Sequence, residues 1–472
     1  MRELHRATVD RSLSAVAVAE TLQGLPGAFW LDSTLTGGRS IFGAFPSEAV
    51  VGWDPEPGLR REPGPQSASW VPRWIGIVPY EACREVELGQ GATDPDTRRR
   101  ANFDAVEWRR YGAVLSVVGT RVEAIGDDPS EVRRLIAALE RPRRSLLAEF
   151  SPLVAAHPDE MHADSIRRIL DQIAAGSVYQ VNLARAFHGK AMGSAFAIYA
   201  HRFARACVPF GFALEWTEAR RVVGASPELC LECLADGTVL TRPIKGTRPR
   251  GRTKEEDDAL ARELASDPKE RAELTMVVDL ERNDLARISN LGSVEVVSAG
   301  DIESFETVHH RVATVRARIS DHVGREEVLR AFLPSGSVTG APKRAAMRLI
   351  SCLEPERRGL YTGAVGYVAQ DGGFRLAMAI RTLTVDHDGQ ATYFSGGGIV
   401  ADSVAECEVQ ETKWKAAQVL RSGKRFNDAP SPEALPPLRP MGPMSAQNWA
   451  DWHGSITKTL NAPIAPRADM TG

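Results

Sequence analysis

Lys245 lies in the run Thr241-Arg-Pro-Ile-Lys-Gly-Thr-Arg-Pro-Arg-Gly251, a single amine between Pro243 and Gly246. An amine is a nucleophile only when unprotonated, and burial or neighbouring cations favour that form. Arg242, Arg248 and Arg250 are expected to supply such cations if they lie close in space; the alternative is a basic loop between two strands. Two acidic pairs share a second pattern. Glu270 and Glu273 are three apart on an expected helix, as are Glu408 and Glu411, so each pair projects from one helical face. Four carboxylates converging from two helices repel unless a cation neutralises them, and hard oxygen ligands left partly open to water suit Mg²⁺. The alternative is two solvated helix faces. Lys415, four residues past Glu411, is spaced for an i,i+4 bridge to it.

Gly336-Ser-Val-Thr-Gly-Ala-Pro-Lys343 lacks the Gly-Lys-Ser/Thr ending of a phosphate loop, which argues against nucleotide binding. A glycine turn entering a helix still offers amides to an anion. Gly396-Gly-Gly398 permits close backbone approach and a carboxylate nest, or is a turn after a strand. Cys230 and Cys233 have C-x-x-C spacing without a second pair, and read as two same-side positions near a strand.

The elements that must position these residues follow from periodicity. Ile166, Ile169, Leu170 and Ile173 mark one helix face stopped at Gly176. Further helices are predicted over 133–139, 254–266, 269–280, 325–332, 343–351 and 405–420, and strands over 28–33, 74–80, 111–118, 121–125, 211–214, 221–225, 294–297, 361–368 and 392–395. The layout is α+β, without an internal repeat or dinucleotide fingerprint. Residues 1–150 form one region, 151–422 a second, and 423–472 a proline-rich, mobile tail. With 472 residues, 43% hydrophobic and 25% charged, the chain can bury a large core, as two or three domains or one interwoven unit. A net charge of −3 and a pI near 6.4 give no reason to expect nucleic acid or an anionic membrane as partner. No run of about 18 apolar residues or apolar signal core is present, so a soluble cytoplasmic enzyme is expected.

The Lys245 run, Asp279-Leu-Glu-Arg-Asn-Asp-Leu285, the Gly336–Lys343 motif, and Gly396-Gly-Gly-Ile-Val400 followed by Glu408 and Glu411 stand in the order found in the chorismate-utilising enzymes. The chain resembles that family over residues 155–420. The family includes component I of anthranilate synthase and of aminodeoxychorismate synthase, and the isochorismate and salicylate synthases. The resemblance implies a large interwoven β-sandwich core covered by helices. It also implies chorismate as substrate, Mg²⁺ held by Glu273 and Glu411 directly with Glu270 and Glu408 partly through water, and ammonia from a separate glutaminase subunit.

Lysine at position 245 is typical of the aminodeoxychorismate members, where anthranilate synthases carry alanine, and it implies 4-amino-4-deoxychorismate as product through a lysine-bound intermediate. Gln180 matches the glutamine of the ammonia-using members. Glu228, in Ala225-Ser-Pro-Glu228, matches the acid that protonates the departing 4-hydroxyl, and His310 the histidine beside the ring hydroxyl. Arg311 and Ala313 depart from the usual leucine and serine, which puts the support of His310 in question. Gly246, Thr247, Ser337, Tyr361, Arg381, Gly397, Gly398 and Lys415 match substrate contacts. Asp32, Ser33 and Ser40 resemble part of a tryptophan pocket. Anthranilate synthase component I and a non-catalytic subunit retaining the fold are the alternatives.

Overall fold

The structure is a computed structural model that describes residues 4–33, 38–59, 61, 69–89, 103–204, 206, 208–305 and 308–420. The tail expected to be mobile lies outside the described residues. Two antiparallel sheets form the centre. One runs from the strand His5–Thr8 through Phe29–Asp32 and Phe210–Thr217 to Gln390–Ile399 and the fourteen-residue strand Gln180–Gly193. The other runs from Ile244–Pro249 through Val308–Arg318, Thr238–Arg242 and Leu229–Cys233 to Ala364–Ala369, Pro72–Val78 and Glu48–Val51. Strands from before and after residue 150 share both sheets. Phe29 and Ile41 of the first sheet meet Ile75, Ile77 and Val365 of the second in one buried cluster, which is the layer between the sheets.

Helices cover the outer faces. Ala15–Leu22, Pro129–Ala138 and Ala195–Arg202 pack on the first sheet, and Tyr80–Leu88, Pro268–Ala286 and Arg325–Phe332 on the second. Asp159–Ala174, Lys343–Leu353 and Ala405–Leu420 bury their apolar faces against the long strand. This is the α+β sandwich with a helical cover.

Local chemistry fixes the helix that carries the first acidic pair. Asp267 accepts hydrogen bonds from the amides of Lys269 (2.9 Å) and Glu270 (3.1 Å), and Pro268 occupies the first turn, where its missing N–H costs nothing. Glu270 and Glu273 are thereby held in the first two turns. Two readings change. The glycines at 396–398 are not a turn after a strand, because the strand continues to Ile399 with Asn182, Leu183 and Ala184 opposite them. Tyr361 precedes its strand, which begins at Ala364, since Thr362 adopts φ +61° and turns the chain. Cys230 and Cys233 are buried in one core cluster, and burial pushes the Cys233 thiol up to about 11, which suits neither a redox pair nor a zinc site.

Candidate active site

Lys245 is not on a loop but in the strand Ile244–Pro249, where the register against Val308–Arg318 slips between Ile244 and Thr247. Such a bulge takes a residue out of the ladder and re-aims it. Gly246 makes this bulge possible. Its φ is +84°, and a Cβ there would lie 2.8 Å from Leu264 Cδ1 and 3.1 Å from Glu270 Oε2. No hydrogen bond or ion pair joins the Lys245 amine to another described residue, yet Glu228 and Glu273 both feel its charge. The three arginines expected to crowd it are neutralised instead. Arg242 pairs with Glu303, Arg248 with Glu263 (2.9 Å) and Asp267 (3.0 Å), and Arg250 with Asp257 (2.6 Å).

Glu228 follows the strand Arg220–Ser226 and is 5% exposed. Burial pushes its carboxyl up to about 7, opposed by a hydrogen bond from Ser337 Oγ (2.8 Å) and by the charge of Lys245. A glutamate with this value can hold a proton at neutral pH and give it up. Ser337 sits in a 3-10 turn, Gly336–Val338, capped by the Ser335 hydroxyl (3.1 Å).

His310 is buried, and desolvation followed by the nearby Arg381 charge takes its ring down to about 4, so it is neutral at physiological pH. Its support comes from a residue other than the absent serine: Thr247 Oγ1 lies 2.9 Å from Nδ1. Arg311, the other departure, turns away from the site and donates to the carbonyls of Leu264 (2.7 Å) and Ala265, closing the C-terminus of the helix Lys254–Ser266. Arg381 has φ +51°, costly for a residue with a side chain. No hydrogen bond or ion pair joins its guanidinium to another described residue, and burial lowers its proton affinity. A shielded, unpaired fork on a strained backbone is suited to an anionic ligand. Tyr361 stacks on Phe394 with ring centroids 5.3 Å apart.

The first sheet supplies further groups through its paired strands Gln180–Gly193 and Gln390–Ile399. Gln180 is 1% exposed, and its amide nitrogen and oxygen both lack a protein partner. A Cβ at Gly398 would lie 3.0 Å from its Nε2; one at Gly397 would lie 3.2 Å from Glu408 Oε2 and 3.7 Å from Glu411 Oε1. The glycines thus act as a flat floor rather than as a nest. Glu411 is held by Lys415 (2.6 Å), which also donates to the Gly396 carbonyl (2.9 Å), so the i,i+4 bridge forms.

The four glutamates suit a hard cation in kind, being carboxylates without a thiolate or imidazole among them. Burial first, then the charges of Glu270 and Glu408, raise Glu273 against the opposing effects of Lys245 and Lys269; burial and Glu411 raise Glu408. Among the described residues no three His, Cys, Asp or Glu side chains close around one point.

Asp32, Ser33 and Ser40 lie at another part of the first sheet, in and beside the strands Phe29–Asp32 and Ser40–Gly43, with four strands between them and Gln180–Gly193. Asp32 accepts from Ser40 Oγ (2.8 Å) and Tyr199 OH (2.8 Å), and Ser33 donates to the Arg39 carbonyl (2.7 Å). Sequence reasoning missed two groups that organise the site. Arg358 is fully buried and ties Glu354 (2.6 Å), the Asn182 carbonyl (2.6 Å), the Val338 carbonyl (3.1 Å) and Thr362 (3.0 Å) together. The Glu354-x-x-x-Arg358 spacing was its only signal. Glu281, inside the motif Asp279–Leu285, accepts from Ser335 Oγ at 2.9 Å.

The family profile described as chorismate binding enzyme matches residues 54–421. Anthranilate synthase component 1 of Streptomyces coelicolor is 34% identical over 460 residues, covering 90% of this chain and 89% of its own. Aminodeoxychorismate synthase component 1 of Escherichia coli is 39% identical over 262 residues, covering 56% and 57%. The crystal structure of anthranilate synthase component I from Streptococcus pneumoniae superposes with a TM-score of 0.66 at 27% identity, over 89% of this chain and 92% of the other. The menaquinone-specific isochorismate synthase of Escherichia coli, at 18% identity and a TM-score of 0.69 over 89% and 95%, shares the fold.

Proposed function

Because the chain belongs to the chorismate-binding enzyme family and acts on chorismate, we propose that its reaction is amination at C4, giving 4-amino-4-deoxychorismate on the route to 4-aminobenzoate and folate. The observation that carries this reading is Lys245, delivered by a bulge into the field of a carboxyl that can be protonated at pH 7. Arg381 suits one substrate carboxylate, and Glu270, Glu273, Glu408 and Glu411 would hold Mg²⁺. When bound, that ion supplies positive charge for a second carboxylate.

Lys245 attacks C2 while Glu228 gives its proton to the departing C4 hydroxyl, which leaves as water. Ammonia then adds at C4 and the Lys245 amine departs with its electron pair returned. One hard substitution becomes two easier ones. Gln180, buried with an amide free to hydrogen-bond, suits neutral ammonia because it carries no base to activate water. Ammonia would come from a separate glutaminase subunit.

A second reading, anthranilate formation, is favoured by the Streptomyces coelicolor relative, which aligns along most of both chains. Incubation of the purified chain with chorismate, Mg²⁺ and an ammonium salt, with the product identified by mass and absorption spectrum, separates the two. Anthranilate as sole product overturns the C4 reading. Absence of any Mg²⁺-dependent turnover overturns both and leaves a non-catalytic subunit.

A further inference from the structure

A chain of buried hydroxyls leads away from Glu228. Its Oε1 is 2.8 Å from Ser337 Oγ, which is 3.0 Å from Ser335 Oγ, which is 2.9 Å from Glu281 Oε1. Glu281 Oε2 is in turn 3.0 Å from Thr241 Oγ1, itself 2.8 Å from the Cys230 carbonyl. Glu281 is 1% exposed and no cation pairs with it among the described residues.

The hydrogens can be counted. These five contacts contain three hydroxyl groups, so three hydrogens are available. The carbonyl can only accept, so Thr241 donates to it, and the contact between Thr241 and Glu281 then needs a hydrogen on Glu281. The three contacts from Glu281 Oε1 to Glu228 share two serine hydrogens, so the third comes from a carboxyl. Every contact is filled when both glutamates are protonated. Either carboxyl proton can move along the serines by each oxygen passing on one hydrogen and receiving another.

The amination reading, on which this inference rests, creates a need for such a store. Ammonia enters neutral, water leaves, and the product amine departs as an ammonium ion, so the protein is one proton short after each turnover. We propose that Glu281 is a proton-positioning residue that restores the proton of Glu228 through Ser335 and Ser337 while substrate or product fills the pocket. In the transfer, rotation of the Glu281 carboxyl turns its hydrogen from Thr241 to Ser335, Ser335 gives its own to Ser337, and Ser337 gives its own to Glu228, leaving the negative charge on Glu281. Solvent reloads the chain through Glu228 once the pocket empties.

The electrostatics agree with this geometry. Burial, followed by the charge of Glu228, raises Glu281 to about 8, against the hydrogen bonds of Ser335 and Thr241. The other groups around it are Asp284 on its own helix, held at 2.6 Å by Lys343 from the helix Lys343–Leu353, and the buried Cys230 thiol of the neighbouring strand. The charge of Lys245 also acts on Glu228. The pair therefore loses its last proton near pH 8 rather than 7.

The test is the pH profile of kcat/KM for chorismate with the full-length chain and its Glu281→Gln and Ser335→Ala variants. A glutamine at 281 can keep both hydrogen bonds but cannot pass a proton. We expect the alkaline limb to move down by about one pH unit in both variants, with kcat at pH 8 reduced about tenfold and KM little changed. If Glu281→Gln does not fold, Ser335→Ala, which keeps both carboxyls and breaks the path, decides alone. An unmoved alkaline limb in the folded variants overturns the inference and leaves the amination reading intact. A parent chain that does not turn over chorismate defeats both.

Discussion

Replacing Glu281 by glutamine should stabilise the protein at pH 8 and leave it nearly unchanged at pH 5. The carboxyl has a pKa of about 8 in the fold and 4.5 as its ordinary value. Below pH 4.5 both the folded and unfolded chains hold the proton, and the group contributes nothing. Between 4.5 and 8 the unfolded chain ionises while the fold keeps the proton, so stability falls by about 1.4 kcal/mol per pH unit. Across 3.5 units this reaches about 5 kcal/mol, of which glutamine, neutral in both states, should recover most at pH 8. For a chain of this size the melting midpoint should rise by about 3–5 °C at pH 8. Thermal unfolding of both proteins followed by circular dichroism at pH 5, 6.5 and 8 measures it. An equal loss of midpoint at all three values would mean that Glu281 is ionised and hydrogen-bonded in the fold, refuting the proton count.

Lys245→Ala should fold normally, since the amine has no partner to orphan, and should lower 4-amino-4-deoxychorismate formation by at least about a hundredfold; undiminished formation, quantified by mass, removes Lys245 from the chemistry. Glu273→Gln and Glu411→Gln should each raise the Mg²⁺ concentration needed for half-maximal turnover by about tenfold or more; if both match the parent in a metal titration, the glutamates are solvated helix faces. Gln180→Lys should abolish amination, because it buries a charge among Gly398 and its neighbours and offers a base to water; amination at the parent rate places position 180 outside the site.

Much of the scaffold was legible because local signals agreed with tertiary demand. The helix Lys254–Ser266 has Thr253 to cap it, and Asp159–Ala174 has one continuous apolar face with Ile166 and Ile169 fully buried. The strand before the glycine run was ended too early, at Ser395, because glycine marks turns by default, whereas here the glycines continue a ladder whose partner is more than two hundred residues away. The environment of Lys245 was misread for a related reason. Sequence places Arg242, Arg248 and Arg250 beside it, but Glu303, Glu263, Asp267 and Asp257, which neutralise them, arrive from other elements. Buried polar networks such as those of Arg358 and Glu281 have no periodicity, and only their assembly in space reveals them.

The sharing of both sheets by the two ends of the chain sets a schedule for synthesis. Ile75 pairs with Tyr367, a residue 292 positions later. At ribosomal speeds of roughly 5–20 residues per second, the apolar strand Pro72–Val78 waits about 15–60 s for that neighbour. Throughout that interval a run of Trp, Ile and Val stands without one of its ladder partners, the kind of edge that recruits other nascent chains. Production of this protein should therefore depend on holdase chaperones and on expression temperature more than its compact finished core suggests, and trimming its C-terminal half should yield aggregates rather than a soluble N-terminal fragment.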